Sequence, residues 1–311
     1  KGYTNAPFPK DFSREQIDAI IDQAMRRSER YRLLKKAGKS KKEIKNIFKK
    51  KVPMKVFSWK GEIDTIMSPR DSIKYYKFFI RSGMMSMEPS TGLVKAYVGG
   101  INYKHFKYDH VKVGKRQVGS TFKPFLYALA MQEGLSPCDE VPNVPVIFEK
   151  DTWGLTKDWA PKNSDSKYEG MLISMKFGLA NSINTITAYI MKQLGPYAVV
   201  DLAKKIGIQS KILAVPSLCL GTFDLSVYEM VGAYSTFVNK GIWTEPIFVT
   251  RIEDKNNVAG LPFLSDDNLF RAIDHKVAAL IVQTLLIFQY VLLRAAGQVA
   301  RLRVHHNRNL A

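Results

Sequence analysis

Residues 117–124 read Gln-Val-Gly-Ser-Thr-Phe-Lys-Pro, and this stretch decides the assignment of the fold. Gly119 permits a tight turn, Ser120 falls at the predicted start of a helix, and Pro124 is tolerated in a first helical turn because it needs no N–H partner there. Ser120 and Lys123 are three residues apart, so they share one face of the helix. The spacing therefore allows the lysine amine to reach the serine hydroxyl.

A serine hydroxyl is a poor nucleophile until a base accepts its proton. A lysine can be that base where desolvation and a nearby positive charge lower its pKa. A serine cap with a lysine one turn later is also common in ordinary helices. The Ser120–Lys123 pair therefore needs a second motif before it indicates an active site.

The second motif is Ser182-Ile183-Asn184, at the predicted junction of two helical stretches. A hydroxyl and an amide two residues apart can both point into one cleft at such a junction. Alone, the motif also fits a polar turn in which Ser182 or Asn184 caps a helix. A Ser-x-x-Lys motif together with a Ser-x-Asn motif, however, is a recurring signature of one group of serine enzymes.

With their flanking residues, the two motifs resemble the transpeptidase domain of class A (bifunctional) penicillin-binding proteins, which share fold and nucleophile with serine β-lactamases. The resemblance runs from about residue 20 to about residue 275. It is carried by four ordered segments: 88–100 (Glu-Pro-Ser-Thr-Gly-Leu-Val-Lys-Ala-Tyr-Val-Gly-Gly), 116–124, 159–163 (Trp-Ala-Pro-Lys-Asn) and 216–221 (Pro-Ser-Leu-Cys-Leu-Gly).

The resemblance implies a role for each motif residue. Ser120 would attack the carbonyl of the penultimate D-Ala of a peptidoglycan stem peptide, and Lys123 would take its proton. Ser182 would relay a proton to the departing D-Ala, and Asn184 would bind the stem-peptide backbone. The acyl group would then pass to an amine of a neighbouring stem, and β-lactam antibiotics would acylate the same serine. The Ser120 N–H would form part of the oxyanion hole.

Two other functions fit parts of the sequence. A serine β-lactamase-like hydrolase or penicillin sensor shares the nucleophile, but class A β-lactamases use a glutamate that activates water. The acids after Ser182, which include Asp201, Asp224 and Glu229, lie in no recognisable lactamase loop, so transpeptidation is favoured. A basic scaffold that binds nucleic acid or wall polymer would instead spread its charge over the Ser120 domain.

Positive charge is concentrated at the amino-terminal end. The formal net charge is +19, and residues 1–60 hold 18 Lys and Arg against 6 Asp and Glu. Capping boxes that begin at Ser13 and Ser40 predict two helices there, and their solvated faces account for the lysines. We expect residues 1–60 to be a basic helical linker segment, residues 61–311 to be the transpeptidase domain, and nucleic acid not to be a partner.

Strand and helix patterns follow one another in blocks, which predicts an α+β domain with helices packed on an antiparallel sheet. Residues 83–101 have the pattern of a β-hairpin. The mostly aliphatic run 277–293 is short for a membrane span, so we expect a buried core helix there. The other predicted helical stretches are 120–133, 171–193, 196–206 and 225–239.

Neither a metal nor a cofactor is predicted. Cys138 and Cys219 have no C-x-x-C spacing, and the five histidines form no H-E-x-x-H pattern. These two cysteines exclude a thiol metal cage and a disulfide-rich scaffold, and we interpret them as small buried side chains.

The family's third motif, Lys-Thr/Ser-Gly on the strand that borders the cleft, does not occur in residues 1–311. We therefore expect the C-terminal part of the sheet to be truncated and the chain to react with penicillin far more slowly than the complete protein, or not at all. A shifted reading frame or a divergent tail would each explain why residues 283–311 fit the family poorly. The resemblance also implies a preceding glycosyltransferase domain that uses a lipid-linked precursor, and an N-terminal anchor at the periplasmic face of the inner (cytoplasmic) membrane.

Overall fold

A computed structural model describes residues 6–250, 252–253, 259–260 and 269–295. Two 3-10 turns, Gly119–Phe122 and Pro216–Leu220, accompany the regular elements. The helices are α1 (Arg14–Arg27), α2 (Glu29–Lys36), α3 (Lys41–Lys49), α4 (Pro69–Lys77), α5 (Lys123–Gln132), α6 (Met175–Ala180), α7 (Asn184–Leu194), α8 (Pro196–Lys205), α9 (Val227–Val238) and α10 (His275–Ala295). The strands are β1 (Val52–Ser58), β2 (Gly61–Met67), β3 (Met84–Met87), β4 (Val94–Val98), β5 (Lys115–Gln117), β6 (Glu140–Pro142), β7 (Leu172–Ser174), β8 (Asp224–Ser226), β9 (Ile242–Thr244), β10 (Ile252–Glu253), β11 (Ala259–Gly260) and β12 (Leu269–Arg271).

The chain divides into two compact units. The first comprises Lys1–Ser82 and Asn102–Lys107, and the second comprises Gly83–Ile101 and Tyr108–Ala311. The sequence-based boundary after residue 60 falls in the turn of the β1–β2 hairpin, whose two strands pair over seven residues each. Because the hairpin belongs to one unit, the first unit extends beyond residue 60 and also contains α4.

Three helices open the first unit, where the sequence predicted two. Ser28 makes the division: its hydroxyl donates to Met25 O at 2.6 Å and accepts from Tyr31 N at 3.3 Å. A serine that bonds in both directions ends one helix and caps the next. The capping boxes predicted at Ser13 and Ser40 are confirmed.

Helix α5 lies at the centre of the second unit and is buried from Lys123 to Ala130. After its first residue it carries no charge, and a helix that is apolar on every side must be covered on every side. Helices α6, α7, α8 and α10 pack around it. Where side chains are described, the helix predicted at 277–293 buries one face, with Val277, Ala278 and Ile281, and exposes the other, with Leu280 and Gln283, so the prediction of a core helix holds for one face only.

The described strands pair two by two and antiparallel, which confirms the predicted class. Strands β3 and β4 confirm the hairpin at 83–101. The helical stretch predicted from residue 171 begins instead with strand β7, which pairs with β6. The stretch predicted from residue 225 likewise begins with strand β8, which pairs with β5. Helix α10 continues into the poorly fitting stretch as far as Ala295, and residues 296–311 lie outside the described residues. No helix in the described part of the chain is both long and apolar enough to cross a bilayer. The interpretation of both cysteines as buried is wrong for Cys138, which is exposed in the loop between α5 and β6, whereas Cys219 is buried.

Candidate active site

Ser120 lies in the 3-10 turn that leads from β5 into α5. Gly119 has a φ of +55°, a conformation that redirects the chain at low cost only for glycine. The Gly119 N–H donates to Gly221 O at 3.0 Å, and the Val118 N–H donates to Phe223 O at 3.1 Å. The chain that follows the Pro216–Leu220 turn therefore holds the serine turn from one side.

Two further contacts fix the same turn. Gly221 has a φ of +67°, and a Cβ placed on it would lie 2.1 Å from Gly119 O, so the close approach requires glycine. The Tyr234 hydroxyl of α9 donates to Thr121 O at 2.6 Å, and its ring packs edge-on against Phe125. The segment that carries Ser120 is thus held by backbone and side-chain contacts from two other elements.

Ser120 itself is exposed. Among the described residues its hydroxyl hydrogen-bonds neither Lys123 nor Ser182, although Ser120 lies only three residues before the lysine, in the 3-10 turn that leads into α5. The backbone N–H of Ser120 donates to no backbone oxygen in the described part of the chain. An N–H that is free beside a nucleophile is the type of donor that an oxyanion hole requires.

Lys123 is only 1% exposed and is the first residue of α5. Its ammonium donates to Ser182 O at 2.7 Å, to Ser182 Oγ at 3.0 Å and to Asn184 Oδ1 at 2.6 Å. Burial lowers the pKa of Lys123 to about 8, while the Cys219 thiol acts in the opposite direction. The structure thus brings three of the four predicted residues into one hydrogen-bonded cluster, and Ser120 lies in the turn that precedes Lys123.

Ser182 connects α6 to α7, as the sequence predicted. Its φ is +53°, in the left-handed region that non-glycine residues seldom adopt. Such conformations cost about 1–3 kcal/mol and persist where the surroundings impose them. Here the conformation presents both the carbonyl and the hydroxyl of one residue to Lys123.

Asn184 is oriented from the loop before β7. Its Nδ2 donates to Lys162 O at 2.8 Å, and its Oδ1 accepts from Lys123. Asn163 of the same loop accepts the N–H groups of Asn184 and Thr185 at 3.0 and 3.2 Å through its Oδ1. Because the residue before α7 provides no capping side chain, Asn163 supplies the cap from a distant part of the sequence.

Asn143 supports this loop and is only 2% exposed. Its Nδ2 donates to Tyr168 O at 2.6 Å, and its Oδ1 accepts from Asn163 Nδ2 at 3.0 Å and from the Thr185 hydroxyl. Sequence reasoning gave no role to these residues. One signal in the sequence could have indicated them: Ile183 precedes the helix and has no side chain that can cap it, so a polar residue from elsewhere must do so.

A cavity of about 130 Å³ adjoins Ser182 and is lined by the side chains of Asn143, Asn163 and Asn181 together with Asp165 and Tyr168. Amide side chains can bind both the N–H and the C=O groups of a peptide. A serine at a helix start, a desolvated lysine one turn later and a Ser-x-Asn pair bonded to that lysine are typical of serine acyl-transferases that form an acyl-enzyme.

The pattern of the penicillin-binding protein transpeptidase domain matches residues 83–285, and that of the penicillin-binding protein middle domain matches residues 3–80. The first match covers more than half of the chain, so the chain belongs to the penicillin-binding protein transpeptidase family. This confirms the family predicted from the two motifs and their flanks.

Penicillin-binding protein 1A of Rickettsia felis is 34% identical over 177 residues, which are 57% of this chain and 22% of that protein. Penicillin-binding protein 2D of Bacillus subtilis is 33% identical over 207 residues, or 67% of this chain and 29% of that protein. The chain therefore spans less than a third of the length of these relatives.

Among crystal structures, penicillin-binding protein 1A of Haemophilus influenzae aligns with a TM-score of 0.58 and 26% identity over 66% of this chain and 34% of that chain. The PonA1 protein of Mycobacterium tuberculosis, in complex with penicillin V, aligns with a TM-score of 0.54 and 20% identity over 86% of this chain and 70% of that chain. These similarities confirm the penicillin-binding transpeptidase fold.

Proposed function

We propose that this chain is the acyl-transfer domain of a serine D,D-transpeptidase that cross-links peptidoglycan stem peptides and is inhibited by β-lactams. The observation that carries the proposal is the cluster of Lys123, Ser182 and Asn184 one helical turn from Ser120. Membership of the transpeptidase family and relatives named penicillin-binding protein 1A support it.

In the first half-reaction, Ser120 Oγ forms a bond to the carbonyl carbon of the penultimate D-Ala while neutral Lys123 accepts the hydroxyl proton. The Ser120 N–H stabilises the negative charge that develops on the carbonyl oxygen. The carbon–nitrogen bond then breaks, and Ser182 passes a proton from Lys123 to the departing amine. Free D-Ala leaves, and the peptide remains esterified to Ser120.

In the second half-reaction, an amine of a neighbouring stem attacks the ester carbon. Lys123 accepts a proton from the attacking nitrogen, the bond to Ser120 Oγ breaks, and the serine regains a proton. In this proposal Asn184, whose Nδ2 donates one hydrogen to the Lys162 carbonyl, binds the backbone of the stem through its second N–H. The product is an amide cross-link, and the enzyme returns to its starting state.

Lys123 must be neutral to accept a proton, and burial makes this form accessible. With a pKa of about 8, about a tenth of the lysines are neutral one pH unit lower. An ordinary lysine would be several hundredfold less often neutral, since each pKa unit is a factor of ten. The buried position of the side chain is therefore what suits it to the role of base.

The remaining expectations concern the longer protein to which this chain would belong. We propose that residues 1–60 act as a basic linker between the transpeptidase and a glycosyltransferase domain that uses a lipid-linked precursor. Their charge would favour proximity to anionic lipid. The parent protein would be anchored in the inner membrane, with this domain on the periplasmic side.

The proposal is tested by covalent labelling with a fluorescent penicillin, with long incubation because slow reaction is expected. We expect label on the chain and on the control Ser217→Ala, which removes a neighbouring hydroxyl, and no label on Ser120→Ala. Peptide mass spectrometry should place the label on Ser120. Label that survives Ser120→Ala would remove the nucleophile, and rapid release of hydrolysed penicillin would instead indicate the β-lactamase-like alternative.

A further inference from the structure

Three asparagine side chains link the loop of residues 160–168 to Lys123, and backbone groups fix the orientation of each. A backbone carbonyl can only accept a hydrogen bond, and a backbone N–H can only donate one. Each such contact therefore decides which end of an amide side chain faces its other neighbour.

The first chain of contacts starts at Tyr168. Its carbonyl accepts from Asn143 Nδ2 at 2.6 Å, which leaves Asn143 Oδ1 to accept from Asn163 Nδ2 at 3.0 Å. Asn163 Oδ1 is consequently directed at the backbone N–H groups of Asn184 and Thr185. These groups open α7, where a carbonyl oxygen is favoured by the exposed N–H groups and by the helix dipole.

The second chain of contacts starts at the neighbouring residue, Lys162. Its carbonyl accepts from Asn184 Nδ2 at 2.8 Å, so Asn184 Oδ1 must face Lys123 Nζ, at 2.6 Å. The reversed amide would place N–H donors against an ammonium that also only donates, and would leave the Lys162 carbonyl without this donor. The Lys162 carbonyl thus orients the side chain of Asn184, while Asn163 holds its backbone N–H.

The donors and acceptors around Lys123 are matched one to one. Ser182 O and Asn184 Oδ1 can only accept, whereas Ser182 Oγ can accept from an ammonium or donate to a neutral amine. Neutral Lys123 can therefore keep two N–H bonds and direct its lone pair towards a hydroxyl. The Cys219 thiol also faces Lys123, but burial raises its pKa to about 12, and no described carboxylate forms an ion pair with the lysine.

We propose that Asn163 is a positioning residue of this site, which caps α7 from the loop and so keeps Asn184 where the Lys162 carbonyl turns the Asn184 carbonyl oxygen, and not its amide nitrogen, towards Lys123. Asn163 acts through Asn184, because its carbonyl oxygen accepts the backbone N–H groups of Asn184 and Thr185 and makes no hydrogen bond to Lys123. The inference deepens the proposed function, because it concerns the group that serves there as the base.

The experiment measures the titration of Lys123 directly by NMR of the full chain labelled with ¹³C at lysine Cε, with the signal assigned by its loss in Lys123→Met. Asn163→Ala removes the cap and frees Asn184, so the ammonium loses a fixed acceptor. We expect its pKa to fall by about one unit, a tenfold change in the protonation equilibrium. Asn163→Asp keeps two oxygens for the N–H groups of α7 and adds a negative charge, so the pKa should rise instead.

Asn181→Ala is the matched control, because Asn181 lines the same cavity but bonds only to Phe177 O of its own helix. It should leave the Lys123 titration unchanged. A residue that merely supports the fold would lower stability in Asn163→Ala without lowering the pKa of Lys123, whereas the rise in Asn163→Asp shows only that the added charge lies close enough to act on the lysine.

An unchanged titration in folded Asn163→Ala and Asn163→Asp would overturn the inference. If Asn163→Ala does not fold, Asn163→Leu, which keeps the size of the side chain but removes the capping oxygen, decides instead, and a Lys123 pKa that does not fall in this variant overturns the inference. Because this measurement needs no penicillin, its failure is distinguishable from failure of the proposed function, which the labelling of Ser120 tests separately.

Discussion

Lys123 Nζ lies 2.6 Å from Asn184 Oδ1, and this hydrogen bond joins the first residue of α5 to the first residue of α7. Both helices are largely buried, and Lys123 is almost inaccessible to water. The packing of the two helices and the protonation of the lysine are therefore coupled, because a shift of either helix changes what surrounds the ammonium.

The rate of acylation at Ser120 should increase with pH. Burial lowers the pKa of Lys123 to about 8, and only the neutral amine can accept the serine proton, so the active fraction rises as the pH approaches this value. We expect an increase of nearly tenfold per pH unit below about 7.5 and a plateau above about 9. The measurement is the second-order rate of labelling by fluorescent penicillin against pH. A rate that does not change through this range would exclude Lys123 as the base.

Gly221→Ala should disturb the turn that carries Ser120. The new Cβ would lie 2.1 Å from Gly119 O, so the two backbone segments must separate, which we expect to cost about 1–3 kcal/mol beyond the cost of the positive φ. The matched control is Gly134→Ala, since Gly134 also has a positive φ but open space around its Cβ position. Urea unfolding measures both, and equal losses would show that the contact with Gly119 is unimportant.

Tyr234→Phe should slow acylation more than its effect on stability suggests. The change removes the hydrogen bond to Thr121 O but keeps the ring beside Phe125, at a cost of about 0.5–1.5 kcal/mol. Tyr228→Phe removes an equivalent bond to Pro246 O, away from Ser120. We expect similar losses of stability and a reduced labelling rate for Tyr234→Phe alone; the same rate in both variants would contradict a role for Tyr234 in holding the turn.

Glu229→Gln should lower stability at neutral pH and flatten its dependence on acid. Burial alone would raise the pKa of Glu229, but hydrogen bonds from Ser210 and Ser226 outweigh it, and the pKa lies below its ordinary value of 4.5. The carboxylate therefore stabilises the fold above about pH 4.5, and this contribution is lost as the pH falls through the lowered pKa.

The variant should lose on the order of 1–3 kcal/mol near pH 7, and its stability should change less than that of the native chain between about pH 5 and 3. Glu133→Gln, on the exposed end of the segment after α5, is the control and should behave like the native chain. Parallel acid profiles for the native chain and Glu229→Gln would contradict the prediction.

The features that could be predicted from sequence are those encoded within a few residues. Ser13 and Ser40 bond to backbone groups three positions away, and the β3–β4 hairpin joins strands separated by one short turn. Such contacts form wherever the local pattern occurs. The strands of three residues before α6 and α9 escaped prediction, because a pairing partner distant in sequence, and no local pattern, makes them extended.

The sequence by itself determined the family, the α+β class and the two motifs that contain Ser120, Lys123, Ser182 and Asn184, because the residue types and their spacing carry that information. The burial and lowered pKa of Lys123, the cap that Asn163 places on α7 and the contact of the Asn184 amide with the Lys162 carbonyl all depend on tertiary contacts. Desolvation depends on the helices packed around α5, and the orientation of an amide depends on which donors and acceptors surround it. Both are properties of neighbours that folding brings together from distant parts of the chain.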